Sequence, residues 1–271
     1  MLKEVLQKHN FRFNKALGQN FISDKNLLDS IVRDSGATSA DTVLEIGAGG
    51  GTLTKALCER AAKVHAFEID GRLQPIIEEM LTGYDNFTLH FEDVLKLKDD
   101  ALAALIGNDE FSVVANLPYY ITTPLVMRFV ESRLPAKSLT LMMQKEVADR
   151  LCAKENTAEY GSVTLAVKLW GEAKITRIVD KKSFFPVPKV DSAVVHIERS
   201  DKYLNQTNDK LKRLIRAAFS MRRKTLLNNI IAAFSFSRED AVFAIESAGF
   251  DTKIRGEVLS LEDFIKISKK I

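Results

Sequence analysis

Four stretches of the chain combine residue types that suit chemistry. Glu45-Ile46-Gly47-Ala48-Gly49-Gly50-Gly51 crowds glycines behind an acid. Glycine lets a backbone turn sharply and approach a ligand where a Cβ would collide. The run suits a nucleoside cofactor, or it is only a tight turn between strand and helix. A dinucleotide fingerprint counted from Gly47 would need its third glycine at position 52, which is Thr52, so the spacing argues against a nicotinamide enzyme. Glu68 stands 21 residues after Gly47. A carboxylate there can accept both hydroxyls of a ribose; the bland alternative is a helix cap or a solvated strand end. Asp93 can accept the exocyclic amine of the nucleoside's base, with Glu92 beside it as a competitor. Asn116-Leu117-Pro118-Tyr119 puts an amide, a stiff proline and an aromatic face in succession. The alternative is a proline-stiffened loop with a core tyrosine.

The elements that must position these residues are legible from hydrophobic patterning. TVLEI (42–46), KVHAFEID (63–70), FTLHFED (87–93), FSVVAN (111–116) and SLTLMMQ (138–144) read as strands. The region 173–179 and AVVHIE (193–198) complete the sheet. Helical patterns run from about Thr52 and up to about Leu81. Strands alternating with helices predict an open α/β sheet, in which ligands sit beyond the carboxyl ends of the strands. All four unusual stretches fall at those ends. From Arg199 the pattern changes. LKRLIRAAF, RKTLLNNIIAAF, REDAVFAIESAGF and LEDFIKISKKI have helical periodicity and follow a polar stretch, RSDKYLNQTND. The expected division is residues 1–198 as one α/β domain and 199–271 as a small helical domain.

The 271 residues suffice for a large and a small domain, and 46% hydrophobic with 28% charged residues reads as globular. No apolar run reaches the ~18 residues a membrane helix needs, and the polar N-terminus does not read as a secretory signal. Cys58 and Cys152 form no CxxC pair, and His9, His65, His90 and His196 have no metal-ligand spacing. A reducing, cytoplasmic compartment without a resident metal is expected. Residues 199–271 carry 15 Lys and Arg against 9 Asp and Glu, a balance of +6, while residues 1–198 carry 24 against 27, a balance of −3. A basic appendage on a slightly acidic body suits a polyanion, or is a solvated surface. Arg222, Arg223 and Lys224 are the candidate phosphate contacts, with Lys212, Arg213 and Arg216 nearby.

The glycine run resembles motif I of S-adenosylmethionine-dependent methyltransferases. Asn116–Tyr119 resembles the motif of those that act on exocyclic amino groups. The residue types fit that chemistry. Adenine N6 is a poor nucleophile because its lone pair is delocalised into the ring. Accepting both N6 hydrogens, from the Asn116 side-chain oxygen and the Leu117 carbonyl, orients the amine and localises the pair. Tyr119 offers a face on which an extruded base can stack. Positioning for in-line attack then carries much of the catalysis.

Over nearly its full length the chain is similar to the ribosomal RNA adenine N6-dimethyltransferases. The matching stretches are KALGQNFISD (15–24), VLEIGAGGGTLT (43–54), FEID (67–70), EDVL (92–95), NLPYYITTPL (116–125), MMQKEVADRL (142–151), YGSVTL (160–165) and FFPVPKVDSAVV (184–195). The resemblance implies a Rossmann-like methyltransferase domain with a small helical C-terminal domain. It implies S-adenosylmethionine as cofactor, and dimethylation of two adjacent adenosines near the 3′ end of small-subunit 16S rRNA. The small ribosomal subunit or its precursor is the implied partner. It implies that Asn20, Ile22, Gly47, Gly49, Glu68, Asp93 and Asn116 contact the cofactor, and that Phe184 covers the second face of the target base, with Phe185 as the competing aromatic. Asn116, Leu117, Pro118, Tyr119 and Phe184 form the implied catalytic set. A large-subunit adenine methyltransferase of the antibiotic-resistance type, and a ribosome-assembly factor with incidental methylation, are the alternatives. KALGQNF, NLPY with TTPL, and PKVDSAVV favour the small-subunit branch.

Overall fold

The computed structural model describes residues 2–271. By internal contact the chain forms two compact units, residues 1–148 with 174–199, and residues 149–173 with 200–271.

The described residues form nine strands, all in the first unit except for the start of β7. They are β1 (Phe21–Ile22), β2 (Thr42–Ile46), β3 (Lys63–Phe67), β4 (Phe87–His90), β5 (Phe111–Asn116), β6 (Ala136–Gln144), β7 (Gly171–Val179), β8 (Phe184–Phe185) and β9 (Ser192–Arg199). Seven make one sheet in the order β4-β3-β2-β5-β6-β9-β7. β2, β3, β4, β5 and β6 pair in parallel, and β9 joins β6 antiparallel. A sheet covered on both faces needs apolar side chains on both, and β2 and β5 are buried almost throughout. Helices Lys25–Asp34 and Thr52–Cys58 pack Ile31, Val32, Leu53 and Leu57 against Val43, Val64, Val114 and Val194. Asp24 caps the first of these helices by accepting from the Asn26 and Leu27 amides. The strand order reverses beside β2, which puts β3 on one side and β5 on the other. That is where open α/β sheets bind ligands.

β1 and β8, two residues each, pair antiparallel, Phe21 with Phe185 and Ile22 with Phe184. They bring the N-terminal segment and the 184–195 stretch together in a separate two-stranded sheet, whose Ile22 and Phe184 pack in one cluster with Val43 and Val114 of the main sheet.

The second unit is helical. Helices Asp209–Ser220, Leu226–Phe234, Arg238–Glu246 and Leu261–Ser268 begin at Asn208, Thr225, Ser237 and Ser260, each of which accepts a first-turn amide. The division differs from the boundary expected at 198/199. Residues 149–173 group with the helices, although they precede β9 in the chain. The reason is packing: Tyr160, Leu165 and Leu169 bury in one cluster with Leu211, Leu214, Leu226 and Phe264. The Tyr160 hydroxyl also donates to the Leu259 carbonyl at 2.8 Å. No helix among the described residues is long and apolar enough to cross a membrane.

Candidate active site

The carboxyl ends of β2, β3 and β5 open on one pocket. After β2 the chain turns through Gly47 at φ 78° and Gly49 at φ 55°, left-handed values that favour glycine. A Cβ on Gly49 would lie 3.0 Å from the Phe21 ring, so β1 covers this turn closely because that atom is missing. The Gly47 and Ala48 amides donate to the Phe67 carbonyl at 2.8 and 3.1 Å, tying the turn to the end of β3.

Glu68 follows β3 directly and is 7% exposed. Its Oε2 accepts from the Gly49 amide at 2.8 Å, and its Oε1 from the Ile69 and Asp70 amides at 2.8 and 2.9 Å. Burial raises the carboxyl above its ordinary range, and these three donors pull against that rise. Three main-chain bonds hold the carboxylate still and leave about one of its four lone-pair sites, on Oε2, for a further donor.

Asp93 lies in the loop beyond β4, which ends at His90 rather than at residue 93. One of its oxygens accepts from the Leu95 amide at 3.0 Å, and the other pairs with Lys96 at 3.3 Å. Glu92 lines the pocket as well.

Asn116 ends β5, and its Nδ2 donates to the Asn20 carbonyl at 3.0 Å. The Leu117 amide donates to the Met142 carbonyl at 3.2 Å, which pins the turn to β6. Tyr119 shares a 3.0 Å hydrogen bond between its hydroxyl and the Ser192 hydroxyl, and burial raises its phenol. Side chains alternate along a strand, so Phe184 and Phe185 part company. Phe184 is 3% exposed and lines the pocket, while Phe185 is 40% exposed and meets Phe13 edge-on at 5.3 Å.

Asn20, Ile22, Gly47, Gly49, Glu68, Asp93 and Asn116 thus line one cavity, together with Leu117, Pro118, Tyr119 and Phe184. A family model described as ribosomal RNA adenine dimethylase matches residues 10–271. The chain belongs to this family. A relative from Clostridium botulinum, named ribosomal RNA small subunit methyltransferase A, is 46% identical over 268 residues, covering 98% of this chain and 96% of that protein. A protein of the same name from Bacillus licheniformis is 44% identical over 278 residues, covering 99% and 94%. Among solved structures, a dimethyladenosine transferase from Plasmodium falciparum has a TM-score of 0.78 at 28% identity, covering 91% of this chain and 95% of that one. The 23S rRNA methyltransferase ErmE superposes with a TM-score of 0.71 at 24% identity, covering 92% and 98%, which is a likeness of fold. The sheet and helices of this chain are those of the Rossmann-like methyltransferases among which the dimethylase family falls.

The three candidate phosphate contacts lie in the helical unit. Arg222 donates from Nη2 to the Tyr160 carbonyl at 3.1 Å, so it also holds that unit together. Arg223 and Lys224 are exposed in the turn between two helices. Among the described residues no group of three or more His, Cys, Asp or Glu is placed to hold a metal.

One pocket residue had no assigned role in the sequence reading. Glu45 is fully buried in β2 and lines the cavity, and neither oxygen makes a hydrogen bond of standard geometry among the described residues, although the neighbouring Thr54 hydroxyl favours its charged form. Burial, with Glu68 adding repulsion, pushes its carboxyl up to about 8. The signal was present in TVLEI: an acid inside an otherwise apolar strand demands an explanation.

Proposed function

We propose that this dimethylase transfers methyl groups from S-adenosylmethionine to N6 of two adjacent adenosines near the 3′ end of small-subunit 16S rRNA, giving N6,N6-dimethyladenosines. The observation that supports it most directly is the Asn116–Asn20 hydrogen bond at 3.0 Å, made beside the glycine turn and Glu68. It occupies the donor end of the Asn116 amide and leaves the acceptor for an amine.

The residues fit the cofactor. The left-handed turn at Gly47 and Gly49 runs beside the pocket, Glu68 is rigidly held to meet a ribose, and Asp93 or Glu92 would meet the cofactor's base. When bound, S-adenosylmethionine supplies a methyl group on a sulfonium. Asn116 Oδ1 and the Leu117 carbonyl accept the two N6 hydrogens and turn the nitrogen lone pair out of the ring. Tyr119 and Phe184 supply aromatic faces for the extruded adenine. Pro118 limits the freedom of the loop that carries both acceptors. No side-chain base is required, because the cationic amine product is acidic and gives its proton to water. Asn20 and Ile22, on the segment that covers the glycine turn, close the site over the cofactor. Repeating the transfer at the same nitrogen gives the dimethyl product.

Arg222, Arg223 and Lys224 contribute phosphate contacts to the small subunit or its precursor, and the reaction belongs in the cytoplasm. The test is mass spectrometry of small-subunit RNA after incubation of subunits with enzyme and cofactor. Two adjacent dimethyladenosines near the 3′ end are expected. Methylation confined to large-subunit RNA, or none at all, would overturn the reading.

A further inference from the structure

We infer that Gln19 is a positioning residue that links the cofactor side of the pocket to the Asn116 amide. The inference rests on the proposed methyl transfer and deepens it.

The Gln19 side chain uses both ends of its amide. Oε1 accepts from the Asn14 main-chain amide at 2.9 Å, and Nε2 donates to Asp70 Oδ2 at 2.8 Å. Asp70 is a fixed anchor. It is buried, and Arg72 holds it through Nε at 2.7 Å and Nη2 at 2.5 Å. The Asp70 main-chain amide donates to Glu68 Oε1. One end of the link is therefore the carboxylate proposed to hold the cofactor ribose.

The other end is the proposed N6 acceptor. The residue after Gln19 supplies the carbonyl that takes the Asn116 amide hydrogen. The residue before it, Gly18, accepts from Asn20 Nδ2 at 3.0 Å. A Cβ on Gly18 would lie 3.4 Å from the Pro118 ring, so this segment packs directly on the Asn116–Tyr119 turn. Glutamine is chemically specific here. A carboxylate at Asp70 needs a donor, the Asn14 amide needs an acceptor, and a carboxamide of this length provides both.

Without this link, residues 14–20 lose their tether to Asp70, and the Asn20 carbonyl loses its fixed place. The Asn116 amide is then free to turn its nitrogen towards the incoming amine, where donor would meet donor. The cost falls on turnover with bound substrate more than on subunit binding, because the atoms affected act at N6.

The experiment measures steady-state methylation of small subunits, cofactor affinity by calorimetry and thermal melting for wild type, Gln19→Leu and Gln19→Glu. Both variants should lose kcat by about tenfold or more at temperatures well below their melting transitions, with KM for the subunit changed by less than about threefold. Wild-type kcat in either variant, or a loss that appears in KM or in melting instead of kcat, would overturn the inference. A wild-type protein that methylates nothing would instead overturn the proposed reaction.

Discussion

The Asn116 amide nitrogen donates to the Asn20 carbonyl at 3.0 Å, across 96 residues of sequence. A carbonyl can only accept, so the amide atom facing it must be the nitrogen. The orientation of Asn116 is thereby set by the main chain of a segment far away in sequence. In the proposed reaction, an amide that rotated freely would present a donor to the target amine part of the time. Fixing it beforehand removes that wasted population, which is preorganisation in its simplest form.

Asn116→Ala should abolish methyl transfer and leave the fold intact. The change removes the proposed N6 acceptor, and the side chain it shortens is only partly buried, at the end of a strand. Methyl incorporation into small subunits and a circular dichroism melt check both halves. Near-normal turnover with wild-type cofactor affinity would show that the acceptor lies elsewhere.

Glu68→Ala should weaken S-adenosylmethionine binding by about 1.5–3 kcal/mol, the scale of lost charge-assisted hydrogen bonds. Part of that loss arises without ligand, since Glu68 also holds the Gly49 amide in the turn. Calorimetry on the two proteins measures it. Unchanged affinity would move the ribose contact to another group.

How far the sequence reaches depends on how local the cause is. β2 and β5 run from Thr42 to Ile46 and from Phe111 to Asn116, as their apolar runs predict, because burial on both faces is written in those residues. The glycine turn was legible for the same reason. β1 and β8 were not, since two-residue strands carry no period and exist only because Phe21 and Phe185 pair. The division expected at 198/199 lies one residue from the one at 199/200, but residues 149–173 group with the helices, as Tyr160 and Leu165 join a helical core built mostly from residues beyond 200. The Gln19–Asp70 bond spans 51 residues and leaves no trace in spacing. Residue types suggested a chemistry for the pocket; its supports required the fold.

Glu45 predicts a pH dependence of stability. Its carboxyl is pushed up to about 8 in the folded protein, from an ordinary 4.5. Below that ordinary value both states hold the proton and nothing changes. Between the two values the folded state keeps a proton that the unfolded state has released, so this group lowers stability as pH rises. The slope is at most about 1.4 kcal/mol per pH unit, and it levels off above the folded value. Glu45→Gln removes the titration. Melting temperatures of the two proteins from pH 5 to 8 should therefore diverge, wild type falling relative to the variant. Parallel curves would show that the carboxyl ionises normally in the fold.

The basic turn of the helical unit predicts a salt effect. Arg222 spends part of its bonding on the Tyr160 carbonyl, so changing it alone should lower the melting temperature. Arg223 and Lys224 are exposed, and replacing both with glutamine should leave stability nearly unchanged. If they touch phosphates, subunit binding weakens, and the slope of log affinity against log salt falls by somewhat under one per lost contact. Cofactor affinity should hold, because every residue lining the pocket belongs to the other unit. A salt titration of subunit binding separates the cases. Weaker binding with a smaller slope supports phosphate docking. Weaker binding with an unchanged slope indicates disturbed helix packing, which the melt would also report. An unchanged affinity and slope would reject the docking role and turn attention to cations near the N-terminus, Lys8 and Arg12 among them.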